Sequence, residues 1–402
     1  MGPAVCVLPL PPPESCSSGA PVVTESLPKI AIVGIRGLPP RYGGGETASD
    51  EVGRRLVARG HDVMVYCRYH NAPAPRPREY AGMRLVHLPS WHTKNIDTPS
   101  HVVLCALHLI LRRRADVVLL SGVGTTFVIP LLRLFGMRTV MWADGQDWKR
   151  GKWGSFARWF LKTSAQICCR VSDGIVTDTT VAHRFYREEL GRRTTYIPYG
   201  ANVEEVSGTE TLEQYGVEPG RYVLFVGRLI PEKGVHYLIE AFEGLETDHR
   251  LVIVGDSPYT PDYVRKLRAT EDPRIVFTGY LFGDGFKQLM RNCRVYVQPS
   301  DIEGTSPVLL TAMGYARPVV VNGIPENLAT VGEAGQSFPP GDVAALRQIL
   351  AEILDDREVL DALGEKSLQR VRTHYNWERI ADEFQALFQD LVEGREPRTD
   401  LD

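Results

Sequence analysis

Hydrophobic positions in this chain form short runs that alternate with amphipathic stretches almost from end to end. The runs that predict strands are 29–34, 62–67, 84–88, 116–120, 139–142, 174–177 and 195–198 in the first half, and 222–227, 250–255, 274–278, 295–298 and 319–322 in the second. Because these runs are apolar nearly throughout, they are typical of strands that are buried on both faces of a parallel sheet, with helices in the crossover connections. Two such series predict two doubly wound α/β domains.

Proline, glycine and polar clusters indicate where the domains begin and end. Residues 1–27 are rich in Pro, Ser and Gly and contain no Lys or Arg, so we predict a disordered tail and not a secretory signal. The break between the domains is predicted near 198–202, which gives a first Rossmann-like domain over 28–202 and a second over 203–375. A last helix is predicted over 376–395, with Asn376 as its N-cap.

Composition narrows the class of protein. The 402 residues carry a formal net charge of -3, which does not suggest a nucleic acid partner, and 43% hydrophobic residues suffice for two cores. The longest apolar run, 102–111, is interrupted by His108 and followed by three arginines, so we predict a buried helix and not a membrane span. The seven scattered cysteines show no zinc spacing, which favours reduced, mostly buried thiols in a cytoplasmic protein.

Two loops that each follow a predicted strand are candidates for phosphate binding. The glycine-rich loop at 34–47 precedes a predicted helix, so it can bring backbone N–H groups close to an anion. It is neither a Walker loop nor a dinucleotide fingerprint, and a merely flexible turn is the alternative. In the second half Arg228 and Lys233 follow the strand 222–227, where their two charges could neutralise a diphosphate. The alternative is a pair of surface cations.

Two further loops contain candidate acidic residues, and a third segment is rich in basic and aromatic residues. Glu303 follows the strand 295–298 and could accept hydrogen bonds from sugar hydroxyls, although a carboxylate at a helix entrance can also simply complement the helix dipole. Asp144 follows a first-half strand and could contact a sugar hydroxyl or position an acceptor. Residues 149–193 hold ten Lys or Arg against four Asp or Glu, with aromatic residues between them. That segment could contact a membrane surface or a lipid pyrophosphate, or be an amphipathic helix packed on its own sheet.

These motifs together resemble retaining glycosyltransferase family 4, which has the GT-B fold. The motifs are VGRL at 226–229, EKG at 232–234, PS at 299–300, EG at 303–304, AM at 312–313 and PVV at 318–320. GLPPRYGG at 37–44, WKR at 148–150 and KW at 152–153 resemble a bacterial subset that includes rhamnosyltransferases of capsule and exopolysaccharide synthesis. The resemblance covers roughly residues 29–390.

The resemblance implies two Rossmann-like domains facing across a cleft, with the acceptor on the N-terminal domain, the nucleotide sugar on the C-terminal domain, and a last helix that crosses back. It implies catalytic roles for Arg228, Lys233, Glu303 and Asp144. Arg228 and Lys233 would bind the diphosphate, and Glu303 would contact the donor sugar. The donor-binding positions that it implies are Gly43, Gly44, Gly227, Gly279, Tyr280, Leu281, Gly304, Thr305, Ser306 and Thr311.

Two positions depart from the family pattern. Thr311 stands eight residues after Glu303, where the family has a second Glu that typically binds the ribose hydroxyls. The change fits a donor without a 2′-hydroxyl, such as a thymidine diphosphate sugar, or a different ribose contact. Asp144 lies near the place where many members have a His, and an ionised Asp cannot donate the hydrogen bond that a His can.

The predicted reaction is a metal-independent sugar transfer with retention, in which fixed cations and N–H groups stabilise the leaving diphosphate. No metal or other cofactor is expected. The expected partners are a nucleotide-sugar donor and a glycan, lipid-linked or small-molecule acceptor, at a cytoplasmic or peripheral membrane location. Two alternatives stay open: a sugar-nucleotide 2-epimerase of the same architecture, and a catalytically degenerate binding subunit for which Thr311 is the best argument.

Overall fold

The computed structural model describes residues 27–40, 43–72, 74–91, 93, 96–112, 115–143, 154–201 and 203–398, with the side chains of 156 and 157 left aside. Asp144, most of the predicted tail and residues 149–153 therefore lie outside the described residues.

The first sheet is formed by the first half of the chain. Its order is β3-β4-β2-β1-β5-β6-β7-β8, and every neighbouring pair is parallel except β3 with β4. The strands are β1 (Ile30–Val33), β2 (Val63–Arg68), β3 (Glu79–Tyr80), β4 (Met83–Leu88), β5 (Val117–Ser121), β6 (Arg138–Ala143), β7 (Gly174–Thr177) and β8 (Thr195–Tyr196).

The second sheet is parallel and follows the order β11-β10-β9-β12-β13-β14. Its strands are β9 (Tyr222–Val226), β10 (Arg250–Val254), β11 (Ile275–Gly279), β12 (Val295–Gln298), β13 (Val319–Asn322) and β14 (Gln336–Phe338). In both sheets the strand order reverses beside the first strand, which is the topological switch point where α/β proteins bind ligands.

Helices connect the strands. They are α1 (Gly44–Ala58), α2 (Asp97–Arg112), α3 (Ile129–Leu134), α4 (Ser155–Val171), α5 (Thr180–Glu188), α6 (Glu210–Gln214), α7 (Val235–Glu243), α8 (Pro261–Leu267), α9 (Gly283–Asn292), α10 (Pro307–Gly314), α11 (Pro325–Val331), α12 (Val343–Ile353), α13 (Arg357–His374) and α14 (Trp377–Val392). The chain is thus an α/β protein with two doubly wound domains, as the sequence predicts.

Each of the twelve predicted runs contains a strand, because uninterrupted apolar runs mark strands that are covered on both faces. The short strands β3 and β14 were not predicted. β3 is an antiparallel edge strand of two residues, and two of the three residues in β14 are exposed, so neither has the apolar pattern of a buried strand.

The expectation of a buried helix over 102–111 is wrong on one side of that helix. Val102, Cys105, Ala106 and Leu109 are buried against the first sheet. The other side is exposed, and Leu111 keeps 82% of its surface in contact with solvent. The apolar composition of the run predicts burial on all sides of the helix. In the described chain, however, no element covers its outer side.

The last helix lies against the first sheet although it follows the second. Asn376 caps α14 as predicted, with its Oδ1 accepting a hydrogen bond from the backbone N–H of Glu378 at 2.8 Å. The ring of Phe384 packs edge-on against Trp142 of β6, with ring centroids 4.9 Å apart. Arg55 and Arg59 of α1 form ion pairs with Glu378, and these contacts tie α14 to the first helix.

None of the described helices is long and apolar enough to cross a membrane.

Candidate active site

The loop after β12 is shaped by a buried polar network. Ser306 is the N-cap of α10, and Pro307 occupies the first helical position, where its missing N–H costs no hydrogen bond. The Ser306 hydroxyl donates to Gln298 Oε1 at 2.9 Å, and the Gln298 amide donates to Asn327 Oδ1 at 3.1 Å. All three side chains are buried, so loop 299–306 is anchored at both of its ends.

The loop after β9 contacts the loop after β12, because these two strands are neighbours in the second sheet. Gly234 adopts φ +65°, and a Cβ there would lie 2.0 Å from the carbonyl oxygen of Pro299, so only glycine allows this approach. The backbone N–H of Asp301 donates to Glu232 O at 3.0 Å. This contact brings Lys233 against Glu303, and the two side chains form an ion pair that is mostly shielded from solvent.

Arg228 begins the loop after β9, and Tyr280 follows the end of β11. Arg228 is exposed, and its side chain forms no hydrogen bond or ion pair with any residue that the structure describes. The Tyr280 hydroxyl donates to the backbone oxygen of Asp256 at 2.8 Å. Burial and the charge of Asp256 raise the pKa of Tyr280, and the positive charge of Arg228 opposes that rise.

Gly279, Tyr280 and Leu281 form a turn at the end of β11. Gly279 has φ +72°, and its carbonyl accepts a hydrogen bond from the N–H of Gly255 at 2.8 Å. Tyr280 is 49% exposed and stacks with Phe282, whose ring lies 6.1 Å away at an interplanar angle of 14°. Leu281 packs against the core. The stacked rings of Tyr280 and Phe282 thus present a flat aromatic surface to solvent.

Gly227 is pressed against the neighbouring strand. Its N–H donates to Val254 O at 3.0 Å, and a Cβ on Gly255 would lie 1.8 Å from the Gly227 carbonyl oxygen. A side chain at position 255 would therefore push apart the ends of β9 and β10. The loop that contains Arg228 begins at this point.

The first domain contributes the N-terminus of α1. Gly43 is the N-cap of this helix, and a Cβ on Gly44 would lie 2.9 Å from Cγ of Pro307 in the second domain. The side chain of Thr305 donates to the carbonyl of Asp178 at the end of β7. The N-termini of α1 and α10 therefore lie against each other where the two domains meet.

Thr311 lies one turn into α10. Its hydroxyl donates to the backbone oxygen of Pro307 at 2.8 Å, and only 8% of the residue is exposed. The hydroxyl proton is therefore already used within the helix, and the oxygen can only accept a further hydrogen bond.

The structure places Lys233 against Glu303, Arg228 near Tyr280, and Gly44 near Pro307. Asp144, which is predicted to be catalytic, lies outside the described residues. Sequence reasoning missed the ion pair between Lys233 and Glu303 and the contact between Thr305 and Asp178. No spacing rule could have found either, because each joins residues at least 70 positions apart. In the described chain no three His, Cys, Asp or Glu side chains cluster as a metal site.

Two family models match the chain in succession. Residues 43–200 match the model described as "Glycosyl transferase 4-like domain", and residues 220–356 match "Glycosyl transferases group 1". The chain is 29% identical over 195 residues to an alpha-D-kanosaminyltransferase of Streptomyces kanamyceticus, a match over 46% of this chain and 50% of that protein. It is 31% identical over 230 residues to a phosphatidyl-myo-inositol mannosyltransferase of Mycobacterium leprae, over 54% of this chain and 59% of that protein. The chain thus spans little more than half the length of these relatives.

Solved structures agree over a larger share of the chain. Sucrose-phosphate synthase from Thermosynechococcus elongatus superposes with a TM-score of 0.79 at 20% identity, over 91% of this chain and 100% of that one. The Anabaena protein HepE in complex with UDP-glucose gives 0.72 at 17% identity, with the same coverage. The chain belongs to the GT-B glycosyltransferases, with a glycosyl transferase 4-like domain followed by a group 1 domain.

Proposed function

We propose that this protein transfers a sugar from a nucleoside-diphosphate donor to a hydroxyl acceptor, with retention and without a metal ion. The observation that carries the proposal is the ion pair of Lys233 and Glu303 at the carboxyl edge of the second sheet. Arg228 lies in the same loop as Lys233, and the N-terminus of α1 approaches Pro307 at the end of the loop that contains Glu303. Cations and helix N-termini that converge on one space are suited to an anion. HepE, a structural neighbour of the same fold, binds UDP-glucose.

Each side chain has a part in the proposed reaction. Arg228 and Lys233 hold the diphosphate and stabilise the charge that develops on the leaving oxygen. To bind phosphate, Lys233 leaves Glu303, and that carboxylate is then available to accept hydrogen bonds from hydroxyls of the donor sugar. The N–H groups of Gly304, Thr305 and Ser306 face the sugar and phosphate. Asp144 is proposed to contact the sugar or position the acceptor.

The proposed donor is clamped between the domains. We assign the acceptor to residues 28–202 and the donor to 203–375, while 376–395 crosses back to the first domain. Gly43 and Gly44 approach the phosphates from the side opposite Arg228, so that closure excludes the water that would hydrolyse the donor. The turn at Gly279 to Leu281 takes the base, with the exposed ring of Tyr280 as its stacking surface.

The acceptor we propose is a lipid-linked glycan of a polysaccharide pathway, handled at the cytoplasmic side of a membrane. Relatives by name include a phosphatidyl-myo-inositol mannosyltransferase and an O-antigen chain mannosyltransferase of Escherichia coli. A kanosaminyltransferase is also among them, so a small-molecule acceptor is the second candidate.

A thermal-shift panel of UDP, GDP, ADP and dTDP tests the donor site, because a ligand that binds only the folded protein raises the melting temperature by mass action. We expect one of the four to raise it by several degrees at concentrations about 100-fold above its dissociation constant. A shift with none would contradict the proposed donor site and favour the degenerate binding subunit.

The sugar nucleotides of the base so identified are then tested for turnover. We expect release of the nucleoside diphosphate to require an acceptor and to continue in EDTA. Conversion of the donor to a 2-epimer without any acceptor would identify an epimerase, and a large loss of turnover in EDTA would exclude the metal-free mechanism.

A further inference from the structure

Exposed apolar side chains are concentrated on one side of the first domain. Of the 22 large hydrophobic residues that are exposed in the described chain, ten lie on α2, on the segment 123–135 that contains α3, and on α4. We call these ten residues the apolar face: Val103, Leu104, Leu107, Leu111, Phe127, Leu131, Leu134, Phe135, Trp159 and Ile167. Clusters of this kind mark interaction sites more often than scattered single residues do.

The three elements form one continuous layer. The segment 123–135 contacts both α2 and α4, and the inner sides of all three cover the same face of the first sheet. On α2 the exposed positions 103, 107 and 111 follow each other at intervals of four, which places them on one side of the helix. The apolar face is therefore the outer surface of this layer and not a set of unrelated positions.

The same layer is positively charged. Arg112, Arg158, Lys162 and Arg170 are exposed and form no ion pair with any described residue. Arg133 is also exposed, but it lies 3.4 Å from Asp173. Within these helices and the segment between them, the described carboxylate is Asp97, which pairs with Arg68 at 2.6 Å. The net charge of the layer is thus strongly positive on a chain whose total is -3.

We infer that this layer docks on a membrane surface rich in anionic lipid. Exposed Leu, Phe and Trp side chains would enter the boundary between headgroups and acyl chains, while the cations beside them would bind lipid phosphates. The charge favours lipid over a second copy of the chain, because a symmetric pairing would bring the same four unpaired cations together with no carboxylate between them.

Docking of this kind leaves the proposed donor cleft accessible. α1 and α14 pack on the opposite face of the first sheet, in a different core from the one beneath the apolar face. The surface also extends beyond the basic stretch 149–193, since α2 and the segment 123–135 contribute eight of its ten apolar residues. The inference therefore does not rest on the proposed reaction.

The test is co-sedimentation of the full chain with vesicles of phosphatidylcholine alone and of phosphatidylcholine with an equal part of phosphatidylglycerol. We expect at least tenfold tighter binding to the anionic vesicles, falling as salt rises, because each Arg or Lys near such a surface contributes about a fivefold gain. The double variant Leu111→Glu/Leu134→Glu removes two side chains that are 82% and 79% exposed, so we expect normal folding and lost vesicle binding.

A second double variant separates the contribution of charge to vesicle binding from that of apolar contact. Arg158→Glu/Lys162→Glu should weaken binding to anionic vesicles at least tenfold. The control is Val359→Glu/Lys366→Glu on α13 of the second domain, which combines one apolar and one cationic substitution at exposed residues away from the apolar face, and it should bind like the wild type. The melting temperature and the nucleotide shift of every variant are measured alongside, so that a folding defect or a failed donor site is recognised separately.

Equal binding of the wild type to both kinds of vesicle, or no binding to either, would overturn the inference. So would a wild-type dimer in sedimentation velocity that Leu111→Glu/Leu134→Glu converts to a monomer without any vesicle binding, since a second copy would then cover the face.

Discussion

Arg228 and Lys233 start from different environments, although both are proposed to hold the diphosphate. Arg228 is exposed without a described partner, whereas Lys233 is paired with Glu303, whose side chain is only 9% exposed. We expect Arg228→Ala and Lys233→Ala each to lower kcat/KM tenfold or more, because each removes a charge-assisted contact to the leaving group. Lys233→Ala should also cost about 1–3 kcal/mol of stability, because it leaves a mostly buried carboxylate unpaired.

Steady-state kinetics and denaturant unfolding of the two variants measure both effects. Arg265→Ala on α8 is the control, since Arg265 is 77% exposed and pairs only with the exposed Asp262 among the described residues. Unchanged kcat/KM in both variants would remove the two cations from the leaving-group role.

Substitution of Thr311 tests whether the protein prefers ribonucleotide or deoxyribonucleotide donors. Its hydroxyl proton is bound to Pro307 O, so it offers a ribose neither a charge nor a donor. We expect Thr311→Glu to raise the preference for ribonucleotide over deoxyribonucleotide donors about tenfold, because a carboxylate can accept hydrogen bonds from both ribose hydroxyls. Thr311→Gln supplies a similar shape without charge and should give a smaller change. If the ratio of the two kcat/KM values does not move, Thr311 does not face the ribose.

Four of the described cysteines are predicted to be chemically inert in the folded protein. Burial raises the pKa of Cys67 and Cys169 to about 11 and of Cys168 and Cys293 to about 12, because a thiolate loses its hydration there. The raised pKa keeps these thiols protonated at pH 8, and reactivity should appear only as the pH approaches these values. Iodoacetamide labelling at pH 8 with peptide mapping should modify none of these four before denaturation. Labelling of Cys168 or Cys169 in the native protein would instead support a redox role for that pair.

At the scale of the element, α10 restricts the size of the side chains that fit at the N-terminus of α1. A Cβ on Gly44 would lie 2.9 Å from Pro307, whereas a Cβ on Gly45 would have only Ser121 Oγ within 4 Å, at 3.8 Å. We expect Gly44→Ala to lower kcat/KM at least tenfold by holding the two helix N-termini apart. Gly45→Ala should keep activity and raise the free energy of unfolding by roughly 0.5–1 kcal/mol, since alanine is the better helix former. Equal kinetics for both variants would show that the approach of Gly44 to Pro307 is not needed for turnover.

Strands could be predicted from the sequence more reliably than the surfaces of helices. An apolar run such as Val223 to Val226 reveals a strand by itself, because both of its faces are covered in a parallel sheet. The run at 102–111 gave the right helix but the wrong environment for Leu107 and Leu111. Whether an apolar helix side is covered depends on neighbours that are remote in sequence, and here none of the described elements covers it.

At the scale of the whole molecule, the site depends on contacts between the domains. The sequence predicted which residues follow the carboxyl ends of strands, and Arg228, Lys233, Glu303 and Tyr280 do lie there. It could not predict that Lys233 pairs with Glu303, or that Thr305 reaches the carbonyl of Asp178. The ion pair follows from the pairing of β9 with β12 in the second sheet, and the contact of Thr305 follows from the relative position of the two sheets. The pattern along one chain contains no information about either.

The last helix gives the strongest test of how the two halves depend on each other. Ile380, Phe384, Leu387 and Phe388 are buried in the core that contains Ile30, Ile32 and Val140 of the first sheet. Burial of a large apolar side chain contributes about 1.5–3 kcal/mol, so these four contribute about 6–12 kcal/mol, comparable with the 5–15 kcal/mol that typically stabilises a domain. We therefore expect deletion of 377–402 to unfold the first domain although its own sequence is intact.

Limited proteolysis with mass spectrometry measures this outcome directly. The truncated chain should lose protection across 28–202, and its thermal unfolding should no longer coincide with that of the full chain. Deletion of 399–402 is the control, because it retains α14 and the hydrogen bond from Thr195 to the carbonyl of Arg398. Protection of 28–202 in the shorter chain would mean that the first domain folds alone, and α14 would then serve to position the domains and not to complete a core.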